Sequence, residues 1–316
     1  IIFKAWSQLR ADGPPFVVVG DFQALASTSG SGMHLIRRVT APEQALEVFG
    51  EALPVLDIPL RSPVIAGQPS PSAAPSIIRW IETAVGLALS GVVSGVVTAP
   101  IAKAPLYEAG FQFPGHTEFL GELTAAANYQ GARGPIMMLA VPGLRTTLVT
   151  VHEPLAKVGG LLTIDAIVNV ARVTAQALTR DFGVEAPRLA VAGFNPHAGE
   201  NGTIGREDAE IIAPAVERLR AGGIDARGPS PADSLFHPDA RARFDAVVCM
   251  YHDQALIPVK MLDFWGGVNV TLGLPIVRTS PDHGTAFDIA GRGLARPDSL
   301  VAAIRMAAEI AERRIA

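Results

Sequence analysis

The chain has 316 residues, 49% of them hydrophobic and 18% charged, and a formal net charge of −4. At ~150 residues per domain this is material for about two domains with a sizeable core, and it excludes a chain that is disordered throughout. The mild acidity, with no long run of either sign, argues against nucleic acid or an anionic membrane as partner, and the single cysteine, Cys249, excludes an internal disulfide framework or a Cys-rich zinc module. The sequence opens Ile1-Ile2-Phe3-Lys4 with no charged-then-apolar leader. Hydrophobic periodicity then predicts a strand over 16–19, a helix over 42–49, a Pro/Ser-rich surface loop over 68–75 and a helix over 76–89 with Ser76 as its N-cap. A buried strand follows over 92–98, and a helix over 118–127. Strands are predicted at 136–141, 146–151, 188–192, 246–250 and, more briefly, 268–271. They are separated by helices over 163–181 and 206–221, and a helix over 297–315 ends the chain.

Apolar strands that alternate with helices predict an α/β fold with largely parallel sheets covered on both faces. No linker cuts the chain cleanly, so two domains are expected to exchange segments. Residues 83–102 are uncharged and long enough to span a bilayer, but Gly86, Gly91, Gly95 and Pro100 interrupt them. They are better read as a helix end, a turn and a strand, and a cytoplasmic protein is expected.

Three of the seven histidines stand in equivalent places, each just after a predicted strand: His152, His197 and His252. Ligands of open α/β sheets bind at the carboxyl ends of the strands. If the three strands are neighbours, the imidazoles gather at one edge and suit a divalent metal with positions left open for substrate. Taken singly, each is more simply a polar loop residue, and the spacings match no short metal signature. The loop from Asn195 to Gly202 is dense in polar and turn-forming residues. At Gly115-His116-Thr117-Glu118, Thr117 is placed to cap a helix whose free N–H groups suit an anion. Lys260, Asn269 and Arg278 form a later basic and polar set able to clamp a phosphate or carboxylate.

Neither a Gly-x-Gly-x-x-Gly fingerprint nor a P-loop follows any strand. Instead, Asp282-His283-Gly284-Thr285-Ala286-Phe287-Asp288-Ile289-Ala290-Gly291-Arg292-Gly293 resembles the adenine-binding loop of the isopropylmalate and isocitrate dehydrogenases. A closer resemblance runs along nearly the whole chain. It is carried by Thr98-Ala99-Pro100-Ile101-Ala102-Lys103, Gly115-His116-Thr117-Glu118-Phe119, Asn195-Pro196-His197-Ala198-Gly199-Glu200 and Pro231-Ala232-Asp233. It continues through Met250-Tyr251-His252-Asp253-Gln254, the segment from Gly267 to Pro275, and Arg278-Thr279-Ser280. In these motifs the sequence resembles the 4-hydroxythreonine-4-phosphate dehydrogenase family.

That resemblance implies a two-domain, isopropylmalate dehydrogenase-like α/β fold with an active-site cleft between domains. Residues 1–115 plus 275–316 would bind the dinucleotide, and 116–274 would carry metal, substrate and dimer contacts. It implies a divalent metal (zinc, or magnesium, cobalt or manganese) on His152, His197 and His252. It implies NAD or NADP on His283, Gly284, Thr285, Ala286 and Asp288, and a small phosphorylated substrate on His116, Thr117, Lys260, Asn269 and Arg278. The implied assembly is a homodimer with the metal at the subunit interface. The implied reaction oxidises 4-phosphohydroxy-L-threonine at its 3-hydroxyl and then decarboxylates the β-keto acid, on the route to pyridoxal 5'-phosphate. Lys260 and His116 are the catalytic candidates, and the general base stays open among His, Lys and a metal-bound water. Family members open with a strand and a glycine-rich loop. This sequence begins where that loop would end, so Ile1-Ile2-Phe3 would open the first helix. Alternatives within the family act on threonate or erythronate 4-phosphate or on carboxylated cis-dihydrodiols; outside it stand the phosphate acyltransferases.

Overall fold

The computed structural model describes residues 1–28 and 30–315. Among the described residues eleven strands run in chain order: β1 (Val18–Gly20), β2 (Ile36–Val39), β3 (Leu53–Asp57), β4 (Gly95–Val97), β5 (Ile136–Val141), β6 (Leu144–Leu148), β7 (Arg188–Ala192), β8 (Asp225–Ser230), β9 (Ala246–Cys249), β10 (Val268–Leu272) and β11 (Val277–Pro281). The principal helices are α1 (Ile2–Leu9), α2 (Ala74–Leu89), α3 (Lys103–Glu108), α4 (His116–Leu123), α5 (Leu155–Leu161), α6 (Ile164–Phe182), α7 (Ala213–Ala221), α8 (His252–Leu262) and α9 (Asp298–Ile315). The chain divides into two compact units, Ile1–Ala127 with Pro275–Ala308, and Asn128–Leu274 with Glu309–Ala316.

In the first unit β3 lies between β1 and β2, parallel to both, with Val18 opposite Val55 and Ile36 opposite Leu53. Pro54 lacks an N–H, and the β1 pairing starts one residue later, at Val55. A proline inside a short apolar run reads as a break, which is why the sequence did not announce this strand. Beneath the sheet, Trp6, Leu9, Phe49, Leu53, Val55 and Ile304 form one apolar cluster, and the Trp6 indole donates to the Phe49 carbonyl at 2.8 Å. β4 pairs parallel to β11, and Gly95 is required there because a Cβ would meet the Val277 side chain at 2.9 Å.

The second unit carries six strands in the order β10-β5-β6-β9-β7-β8. β6, β9, β7 and β8 are parallel, but β10-β5 and β5-β6 are antiparallel. The sheets are largely parallel, as expected, with β5 the antiparallel exception. The cause is local: Pro142-Gly143 joins β5 to β6 directly, with Gly143 at φ 79° taking the left-handed corner of a tight turn. β8 (Asp-Ala-Arg-Gly-Pro-Ser) sits at the edge, where a polar, proline-containing strand is tolerated, and it too escaped prediction. Leu139, Leu144, Leu148, Val247, Cys249 and Val259 pack the core. α6 is bounded as its sequence dictates, with the Thr163 hydroxyl accepting from the Ala166 N–H at 3.1 Å and Gly183 left-handed at the C-terminus.

One helix starts ahead of its expected cap, and another was not foreseen. α2 begins at Ala74, leaving Ser76 buried inside it, while Ser70 caps the short turn ahead. α8 was not foreseen, because Pro258 lies within it. The uncharged stretch 83–102 divides, as expected, into the end of α2, a turn and β4. Among the described residues no single helix is long and apolar enough to cross a membrane.

Candidate active site

His152, His252 and His197 of the second unit follow β6, β9 and β7, and these strands are adjacent and parallel in that order. The topological condition for gathering them at one carboxyl edge is therefore met. The His152 and His252 rings stand 5.8 Å apart between centroids, tilted by 41°. Both line a recess of about 290 Å³ that Val151, Glu153, Leu155 and Tyr251 also wall. His252 opens α8, and its Nδ1 lies 2.7 Å from the Asp253 carboxylate. A carboxylate only accepts, so Nδ1 is the donor of this hydrogen bond and the carboxylate orients the ring, as carboxylates behind histidine ligands of metals do. His197 stands on a turn of unusual backbone: residues 197 through 201 all have positive φ, from 42° to 77°. Among the described residues no three His, Cys, Asp or Glu side chains converge as a metal cluster. The structure thus pairs two of the three expected ligands. The donor set, imidazoles with one oriented by a carboxylate, fits a divalent cation of the zinc or cobalt class.

The ends of these strands are tied together by Gln254, a residue that sequence reasoning passed over. Its buried carboxamide accepts from the Met250 N–H and donates to the Gly193 carbonyl, both at 2.7 Å, so the end of β9 is joined to that of β7. Lys260, two turns along α8 from His252, is half-buried, with its ammonium 5.2 Å from the centre of the Phe264 ring. Asn269 on β10 has its Oδ1 buried without a hydrogen-bond partner. A buried acceptor of this kind is a place where a ligand donor gains a full hydrogen bond.

The first unit holds a second constellation. α4 starts at His116, with Gly115 in extended conformation at its N-cap; Thr117 is the second helical residue and not the cap expected of it. Arg278 on β11 is 3% exposed and donates from Nη2 to the Thr98 hydroxyl at 2.7 Å. Burial pushes its guanidinium down to about 10, against the favourable charge of Glu118. Burial, with the charge of Arg278 added, pushes the His116 imidazole down to about 3. His116 is therefore neutral at pH 7 and able to donate one hydrogen bond. A Cβ on Gly115 would lie 3.6 Å from the Lys103 ammonium and 3.4 Å from a Glu118 oxygen, so the helix start is flanked by a further cation that sequence reasoning did not single out. Its signal was its place in the Thr98–Lys103 motif. Free N–H groups at the start of α4, a neutral imidazole, Arg278 and Lys103 together can hold a phosphate or carboxylate.

The low pKa of His116 has a measurable consequence. An unfolded imidazole binds its proton near 6.5, the folded one only near 3. As pH falls below 6.5 the unfolded chain gains a proton first, so folding stability is lost progressively between those limits. A nuclear magnetic resonance titration is expected to find His116 neutral at pH 5; a midpoint near 6 refutes the buried, cation-flanked setting.

The loop His283, Gly284, Thr285, Ala286 and Asp288 is exposed throughout. It follows β11, with Ala286 left-handed at φ 48°, Gly291 at 73° and Gly293 at 68°. A Cβ at Gly284 would meet nothing within 4 Å, so the backbone there is open to a ligand. Lys4 on α1 braces the loop's far end through the carbonyls of Gly293 and Ala295, at 2.6 and 2.9 Å.

Known proteins resemble this chain along most of its length. A family model described as pyridoxal phosphate biosynthetic protein PdxA matches residues 13–307. A protein of Caulobacter vibrioides named 4-hydroxythreonine-4-phosphate dehydrogenase is 72% identical over 314 residues, covering 99% of this chain and 94% of the relative. The crystal structure of the enzyme of that name from Klebsiella pneumoniae is 38% identical with a TM-score of 0.82, covering 98% of this chain and 95% of that one. A terephthalate 1,2-cis-dihydrodiol dehydrogenase from Burkholderia xenovorans LB400 is 28% identical with a TM-score of 0.62, covering 98% and 92%. With a family model spanning more than nine-tenths of its length and a relative at 72% identity, this chain belongs to the PdxA family of pyridoxal phosphate biosynthetic proteins.

Proposed function

We propose that this chain is a nicotinamide-dependent 4-hydroxythreonine-4-phosphate dehydrogenase of pyridoxal phosphate synthesis, oxidising 4-phosphohydroxy-L-threonine at the 3-hydroxyl with loss of CO2. The carrying observation is 72% identity, along 99% of the chain, to a protein of that name. Membership of the family removes the phosphate acyltransferase alternative. His152, His197 and His252 would hold a divalent metal, which supplies Lewis-acid polarisation of substrate oxygens when bound. The loop from His283 to Asp288 would hold NAD or NADP, which supplies the hydride acceptor.

The chain's own residues divide the remaining work. Arg278, His116 and Thr117 bind the substrate phosphate, with Arg278 giving charge and His116 a neutral N–H. Asn269 offers its unpartnered Oδ1 to a substrate donor. Of the two candidate acid–base groups, Lys260 is the one we assign to proton transfer, because an imidazole at about 3 is too weak a base at pH 7. His116 keeps a binding role.

A second reading, oxidation of a carboxylated cis-dihydrodiol, is favoured by the structural likeness to the terephthalate dihydrodiol dehydrogenase. Steady-state turnover of the purified protein with metal and NAD or NADP decides. 4-Phosphohydroxy-L-threonine is expected to give the highest kcat/KM among itself, threonate and erythronate 4-phosphates and a carboxylated dihydrodiol. No turnover of it defeats the first reading.

A homodimer is supported by an apolar surface on and beyond α8: Ile257, Met261, Phe264 and Trp265 are 62, 82, 59 and 50% exposed. Residues 257 and 261 share one helical face. Met261→Asp combined with Trp265→Asp is expected to shift sedimentation from dimer to monomer; an unchanged dimer places the interface elsewhere.

A further inference from the structure

We infer that Asp208 is a positioning residue for the site, its carboxylate holding the left-handed turn that presents His197. Asp208 is 1% exposed, at the start of the π-helical turn Asp208–Ile212 that leads into α7. One oxygen accepts from the Phe194 N–H at 2.8 Å; the other accepts from the Asn195 N–H and the Asn195 side-chain amide, both at 3.0 Å. The same amide donates to Glu207 at 2.8 Å. The segment between β7 and His197 is thus wrapped on one buried carboxylate.

Three glycines make that approach possible. A Cβ on Gly193 would come within 2.9 Å of the Asp208 carboxylate, one on Gly199 within 3.3 Å of it, and one on Gly205 within 2.5 Å of the Asn195 amide. Gly199 and Gly205 also need their positive φ. Four non-glycine residues, His197, Ala198, Glu200 and Asn201, adopt the left-handed region in succession, a conformation that L-residues leave unless the surroundings hold them. Asp208 fixes Phe194 and Asn195 just ahead of the turn, and the Asn195 carbonyl in turn accepts from the Ala198 N–H at 3.0 Å, so the buried carboxylate sets the point from which the left-handed residues start. Asp208 touches no candidate substrate group and acts through His197.

This inference rests on the reading of His197 as a metal ligand, and its test separates the two. Metal-free protein is titrated with Co²⁺ alone. Asp208→Asn replaces one accepting oxygen by an amide that faces donors; Asn195→Ala is the milder variant should Asp208→Asn not fold. Each is expected to weaken Co²⁺ binding on the order of 10- to 100-fold. Amide hydrogen exchange should quicken over residues 196–204, leaving β9 unchanged and the NAD dissociation constant within about twofold. Wild-type Co²⁺ affinity in both variants, while His197→Ala loses it, overturns the positioning role and leaves the ligand reading standing. Wild-type affinity in His197→Ala overturns the ligand reading, and this inference with it.

Discussion

His252→Ala loses divalent-metal binding and turnover together, with kcat/KM down on the order of 10³-fold or more. The expectation follows from the place of His252: its Nδ1 is held by Asp253, its ring stands beside His152, and both line one recess. A ligand metal contributes several kcal/mol to stabilising developing charge, and each ~1.4 kcal/mol is a factor of ten. The fold should survive. His252 is half-buried at the first position of α8, where alanine is a good helix former. Metal analysis, kinetics and a melting curve on the same preparation are the check. Turnover retained without metal removes the metal from the mechanism. Metal retained with turnover lost shifts His252 from ligand to acid–base group.

Arg278→Ala is expected to raise KM for the phosphorylated substrate by about 10- to 100-fold with a smaller change in kcat, the size of a lost charge-assisted hydrogen bond to an anion. A companion substrate lacking the phosphate should show little further loss on the same substitution. Structure adds a cost that sequence alone did not indicate. Arg278 is 3% exposed and donates to Thr98, so truncation also opens a hole in the first unit and should lower stability by about 2–4 kcal/mol. Arg278→Lys keeps the charge but loses the planar fork, and should fall between wild type and alanine in KM. An unchanged KM in the alanine variant takes Arg278 out of the substrate site.

The legible parts of the fold were those with strong local signals. β5 and β7 have the predicted ends, and β9 and β10 are within a residue of theirs, because short apolar runs bounded by turns, with Asn269 and Thr271 alternating in β10, favour a strand reading. β3 and β8 were hidden by prolines that their pairing geometry tolerates, and α8 by Pro258. The Pro142-Gly143 dipeptide is the sequence sign of the β5–β6 hairpin within an otherwise largely parallel sheet.

For the site, the amino-acid sequence by itself determined the cast: three histidines each placed after a strand, a His-Thr pair at a helix start, a late Arg and a glycine-rich loop. Those are properties of spacing and residue type, which a linear pattern records. Tertiary structure alone decided which strands are neighbours, and so that β6, β9 and β7 bring the histidine-bearing segments to one edge. It decided that His152 and His252 stand ring to ring, and that burial beside Arg278 keeps His116 neutral. It also drew in Lys103, Gln254 and Asp208, whose importance lies in contacts made across the fold or around a loop: desolvation, and hydrogen bonds to distant backbone, are set by what packs around a group and not by the residues beside it in the chain.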